Sequence, residues 1–120
     1  MITTQQIAEQ LIDLCKQGKF ETAQQELFAS DAISIEPFAS PDFAKEVKGL
    51  DAIIAKGHKF NSMVEEIHGI QMSTPMVAGK SFASMLTMDI TMKGKGRMNM
   101  AELCVYETKE GKIISEYFFM

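Results

Sequence analysis

Phe82-Ala83-Ser84-Met85-Leu86-Thr87-Met88-Asp89-Ile90-Thr91-Met92 decides the architecture of this chain. Phe82, Ser84, Leu86, Met88, Ile90 and Met92 fall on one side of a two-residue period, and Ala83, Thr87, Asp89 and Thr91 on the other. Such alternation describes a strand with one face on a core and one toward water. Gly-centred turns punctuate the neighbouring sequence at Ala78-Gly79-Lys80, Lys93-Gly94-Lys95-Gly96 and Lys109-Glu110-Gly111-Lys112. Each suits a hairpin, so four long strands in an antiparallel meander are expected from about Ile67 onward. Strands of about 10–14 residues, roughly 35–45 Å long, must coil strongly.

Upstream of about residue 65 the period is helical. Thr3 and Gln6 fit a capping box, and Ile7, Ala8, Leu11, Ile12, Leu14 and Cys15 form an apolar stripe that Gly18 closes. Phe20, Ala23, Leu27 and Phe28 predict a second helix reaching Ser30; Ala32-Ile33-Ser34-Ile35-Glu36 alternates and stops at Pro37. Leu50, Ile53, Ile54, Phe60 and Val64 predict a third helix, weakened by Gly57. Helices first and a meander afterwards make an α+β fold: three N-terminal helices packed on a strongly curved antiparallel sheet, one domain over residues 1–120. Wrapped around a helical layer, such a sheet encloses a cone with a pocket at its mouth. In the last two strands both faces are apolar, with Met98, Met100, Cys104 and Tyr106 opposite Ala101, Leu103 and Val105. A homodimer through that sheet face is therefore expected.

Charge and motif searches exclude several classes. A net charge of −4, with 12 basic against 16 acidic residues, argues against a nucleic-acid partner. The one basic cluster, Lys93, Lys95 and Arg97, reads as a hairpin tip. The Gly79-Lys80-Ser81 run lacks the first glycine of a phosphate loop and precedes a strand rather than a helix. His58 and His68 lack zinc-ligand spacing and read as structural or surface residues, with His58 on the third helix a lesser candidate for a pocket mouth; no metal and no cofactor are expected. Cys15 and Cys104 have no CxxC spacing and no adjacent histidine, which predicts reduced, non-nucleophilic thiols. No apolar run approaches bilayer length and the first residues show no secretory signal, so a cytoplasmic protein without a membrane partner is expected.

One carboxylate stands out. Glu36 ends a strand and precedes Pro37-Phe38, so backbone direction is fixed on both sides of it. Against apolar walls the charged form of such a group is disfavoured, which moves it toward the range useful for proton transfer. On spacing alone, a solvated glutamate at a strand end fits better.

The run Phe28-Ala29-Ser30-Asp31-Ala32-Ile33-Ser34-Ile35-Glu36-Pro37-Phe38, with Lys48-Gly49-Leu50-Asp51-Ala52-Ile53 and Glu110-Gly111-Lys112-Ile113, resembles the nuclear transport factor 2-like superfamily. Within it the chain is most similar to the ketosteroid isomerase and SnoaL-like polyketide cyclase branch. The resemblance implies a cystatin-like cone and places Glu36 at the isomerase's general base. It also shows departures: Leu11 stands at the oxyanion tyrosine of the first helix, Leu103 at the neutral aspartate of a late strand, and Gly57 at the supporting tyrosine. Steroid isomerisation by the family mechanism, which needs those donors, is thus not expected. Glu116, on the face of Ile114, Phe118 and Met120, is a candidate second acid, as in SnoaL-like cyclases, or an outward partner for a lysine across a subunit contact. Asn99, on the Leu103 face, is a further donor candidate. Leu11, Phe38, Met72, Met76, Leu86, Met88, Met92, Leu103 and Phe118 are the candidate pocket walls, the methionines able to follow varied apolar shapes. Three readings stand together: an isomerase, cyclase or dehydratase acting on a small lipophilic carbonyl compound; a non-catalytic binder of a small lipophilic molecule; and a dimeric interaction module.

Overall fold

The computed structural model describes residues 2–120. Helices α1 (Thr4–Lys16) and α2 (Phe20–Leu27) lead into strand β1 (Phe28–Ile35), the short β2 (Glu46–Lys48) and helix α3 (Leu50–Met63). Strands β3 (Val64–Met72), β4 (Met76–Ala78), β5 (Ser81–Met92), β6 (Gly96–Lys109) and β7 (Lys112–Phe119) complete the chain. The sheet order is β2-β1-β7-β6-β5-β3, with β4 also paired to β5. The three helices cover one face of this curved sheet, an α+β arrangement.

Local chemistry sets the helix ends. The Thr3 hydroxyl accepts from the Gln6 N–H at 3.1 Å while the Gln6 side-chain oxygen accepts from the Thr3 N–H at 2.9 Å. Past the last turn, Gly18 takes φ +76°, and the N–H groups of Gly18 and Lys19 satisfy the carbonyls of Cys15 and Leu14. The stripe Ile7, Ala8, Leu11, Ile12 and Cys15 is buried. In β5 every even residue from Phe82 to Met92 is buried, and none of the odd ones is.

Three expectations need correction. The second helix ends at Leu27 rather than Ser30, because Phe28 is extended (φ −89°, ψ 145°) and pairs with Ile113. Strand pairing overrides the helical spacing there, with a bulge between Phe28 and Ile33. The sheet is mixed rather than wholly antiparallel: β1 runs parallel to β7, with Ser34 opposite Glu116. Residues 36–111 lie between these strands, so no hairpin constrains their direction. The first long strand of the meander is broken at Ser73-Thr74-Pro75 into β3 and β4, where a proline cannot donate to the ladder.

The outer sheet face carries an apolar row. Met85 pairs with Leu103 and Leu103 with Phe119, and these three side chains are 43%, 38% and 52% exposed.

Candidate active site

Strand β1 and the residue that follows it deliver two polar side chains, Ser34 and Glu36, to this end of the sheet. Ser34 is fully buried, and Glu36 is fixed by its own N–H donating to the Lys45 carbonyl at 2.7 Å and by Pro37 after it. From α3, Lys56 reaches across to both. Its Nζ donates to Ser34 Oγ at 2.6 Å and to Glu36 Oε1 at 3.1 Å, and lies 5.4 Å from the centre of the Phe118 ring. The Lys56 side chain is only 14% exposed and that of Glu36 25%. Glu116 on β7 and Glu102 on β6 complete the polar set, and neither has an ion-pair partner among the described residues.

Glu36, Lys56, Glu102 and Glu116 border one cavity of about 300 Å³, at the small end of the range of about 300–1,000 Å³ common for ligand sites. Leu11, Phe38, Met72, Leu86, Met88 and Phe118 are among its walls. His58 also lines it, its Nε2 against Glu21 Oε1 where α2 and α3 meet.

Burial governs the acids. The Glu116 carboxyl is pushed up to about 7 by loss of solvent, with the Ser34 hydroxyl and Lys56 acting against the shift and the charges of Glu36 and Glu102 adding to it. Glu102 rises to about 7 as well, by burial and then by the charge of Glu36, while Lys56 opposes. Burial also raises the Cys15 thiol to about 12 and the Cys104 thiol further. Neither thiol supplies a thiolate near neutrality.

The structure brings together Glu36, Glu116 and most of the expected walls, and separates the rest. Asn99 is exposed on the outer face, opposite Asp89. Leu103 lies on that same face, in the apolar row. Met76 is 79% exposed on β4. Met92 is a core residue at the far end of β5 and does not reach the cavity. The error at Leu103 and Asn99 is one of parity: on β6 the inward residues are Met98, Met100, Glu102, Cys104, Tyr106 and Thr108, and a count that slips by one reverses every face. A register shift between Glu107 and Thr108 lies beside the turn that joins β6 to β7.

Two cavity residues escaped the sequence reading. Glu102 shares parity with Met100, Cys104 and Tyr106, an acid on an otherwise apolar face. Lys56 stands three residues after the fully buried Ile53 and four before Phe60, a cation on the apolar stripe of its helix. Gly57 lies beside it, and a Cβ built there meets nothing within 4 Å. Gly57→Ala is therefore expected to stabilise the fold by about 0.5–1 kcal/mol through helix propensity. A chemical-denaturation midpoint lower than wild type contradicts this.

Among the described residues no group of His, Cys, Asp and Glu is arranged to hold a metal ion, and no helix is long and apolar enough to cross a membrane. Among curated proteins none matches the chain. Solved structures do. A Mesorhizobium loti protein provisionally described as a SnoaL-like polyketide cyclase is 32% identical, with 99% of this chain and 100% of that one covered at a TM-score of 0.91. A Xanthomonas campestris protein of unknown function with a cystatin-like fold is 18% identical, covering 98% and 90% at 0.83. A nuclear transport factor 2-like protein of unknown function from Burkholderia pseudomallei is 14% identical, covering 100% and 92% at 0.84. The last two share the fold alone. The SnoaL-like domain matches residues 2–120, which with the Mesorhizobium likeness places the chain in the SnoaL-like domain family.

Proposed function

We propose that this protein is an acid–base enzyme of the isomerase or cyclase type, acting on a small lipophilic carbonyl compound held in the cavity. One observation carries the reading: two carboxyl groups share an apolar cavity in opposite electrostatic settings. Glu36 has the Lys56 ammonium at 3.1 Å as counter-charge, whereas Glu116 is 4% exposed and has no cation in ion-pair contact among the described residues. Groups set apart in this way divide into a base and an acid. Glu36 takes a proton from the carbon beside the carbonyl, the C–H electron pair moves toward oxygen, and the Glu116 acid proton closes the enol. Return of the proton from Glu36 to a second carbon isomerises the compound; attack of the enol carbon on an electrophile closes a ring.

The ion pair also favours a second reading. Lys56 occupies one oxygen of Glu36, as suits a site that binds without turnover. Two measurements separate the readings. Cyclic and aromatic ketones should raise the melting temperature of the wild-type chain in both. In deuterated buffer, the enzyme reading expects NMR to show exchange of the protons beside the ketone faster than in buffer alone. Binding without exchange supports the second reading, and no melting shift across the panel contradicts both.

For the assembly, we propose a homodimer through the outer sheet face, supported by the Met85–Leu103–Phe119 row. Leu103→Glu is expected to convert a sedimenting dimer to a monomer without loss of secondary structure. A wild-type monomer at micromolar concentration contradicts it.

A further inference from the structure

Lys56 is the group that the acid–base scheme leaves without a chemical step. Its side chain is 14% exposed, the residue lines the cavity, and a carboxylate oxygen sits 3.1 Å from Nζ, in position to take a proton from it. The hydrogen bond between them is a path along which a proton can pass from Nζ to the carboxylate. A lysine freed in that way is a carbonyl nucleophile.

We propose that Lys56 forms an iminium with the carbonyl group of the ligand, making the site a covalent one. This rests on the reading above that the cavity takes a lipophilic carbonyl compound. The ammonium passes a proton to Glu36, and the freed Nζ lone pair bonds to the carbonyl carbon. The carbonyl π pair moves to oxygen, which takes the acid proton of Glu116 and becomes a hydroxyl. The nitrogen, now cationic, returns a proton to Glu116, giving a neutral carbinolamine. Glu36 then protonates the hydroxyl, water leaves, and the nitrogen lone pair forms the C=N bond. In sum, ammonium and carbonyl give iminium and water, and both carboxyl groups end as they began. Glu36 is again a carboxylate beside a carbon whose protons the iminium has acidified. The ion pair that seemed to block the base thus becomes the device that frees both partners in turn. Ser34 holds Nζ on one side at 2.6 Å and the Phe118 ring bounds another, which leaves approach from the cavity.

The test uses the full chain with hexanal and sodium cyanoborohydride at neutral pH, followed by digestion and mass mapping of every lysine, with melting curves recorded in parallel. The expected result is one hexyl group on Lys56 at about tenfold or more the occupancy of any other lysine, because the bound aldehyde is held against this amine. Lys56→Arg should keep the fold and the melting shift with hexanal alone while losing the selective adduct. Glu36→Gln, which removes the proton acceptor, should lower selective labelling. Labelling of Lys56 no greater than that of surface lysines, with the melting shift intact, overturns the iminium and spares the cavity reading. Absence of both overturns the two together.

Discussion

Glu36→Gln is expected to slow proton exchange beside the carbonyl by about 10²–10⁴-fold, a loss of roughly 3–5 kcal/mol of transition-state stabilisation. The amide has nearly the shape of the carboxylate and still accepts the Lys56 hydrogen bond through its oxygen, so the cavity should keep its form. The loss should therefore fall on turnover, with ligand affinity changed much less. The acid partner leaves its own mark on the pH profile. Glu116 donates only while protonated, so with the carboxyl raised to about 7 the rate should fall as pH climbs past about 7. Glu116→Gln should remove that alkaline limb. A wild-type profile flat from neutrality to pH 9, or a Glu36→Gln variant within a few-fold of wild type, contradicts the assignment.

Glu116 also governs stability, with a sign opposite to that of most carboxylates. Burial raises it from an ordinary 4.5 to about 7, so between those values the folded state holds a proton that the unfolded state has lost. Its stabilising share is complete below pH 4.5 and vanishes as pH rises through about 7, and the difference is about 3 kcal/mol. Glu102 shifts in the same direction but keeps some solvent contact, so its share is smaller. The wild-type chain should consequently be more stable near pH 5 than near pH 8. Glu116→Gln is expected to flatten that dependence and, at pH 8, to melt at or above the wild-type temperature, since a neutral amide replaces a buried charge. Urea unfolding across this range decides it. Equal pH slopes in wild type and variant contradict a buried, uncompensated carboxyl.

How much of this was legible follows from where the sequence carries a period. The β5 alternation, the Thr3–Gln6 cap and the Gly18 stop are local signals, and all three appear as read. Glu36 was legible because strand, acid and proline occur consecutively. The parallel pairing of β1 with β7 was not, because Ser34 and Glu116 are 82 positions apart and no turn links their strands. The same distance explains Glu116, whose orientation toward the cavity depends on that pairing. Glu102 lay hidden behind a parity slip, and Lys56 behind the ordinary preference of lysine for solvent, although its place on the Ile53–Phe60 stripe sets it apart. Met76 and Met92 show the reverse limit: methionine composition signals a soft apolar lining but does not say which strand end faces the hollow.

The division of labour between the two carboxyl groups is tested most directly by carbon-13 NMR titration of the glutamate side chains, with the Glu116 signal identified through Glu116→Gln. The expected result is a carboxyl carbon whose shift moves with a midpoint near pH 7 and which is absent from the variant. A Glu116 signal already fully ionised at pH 6 would contradict it.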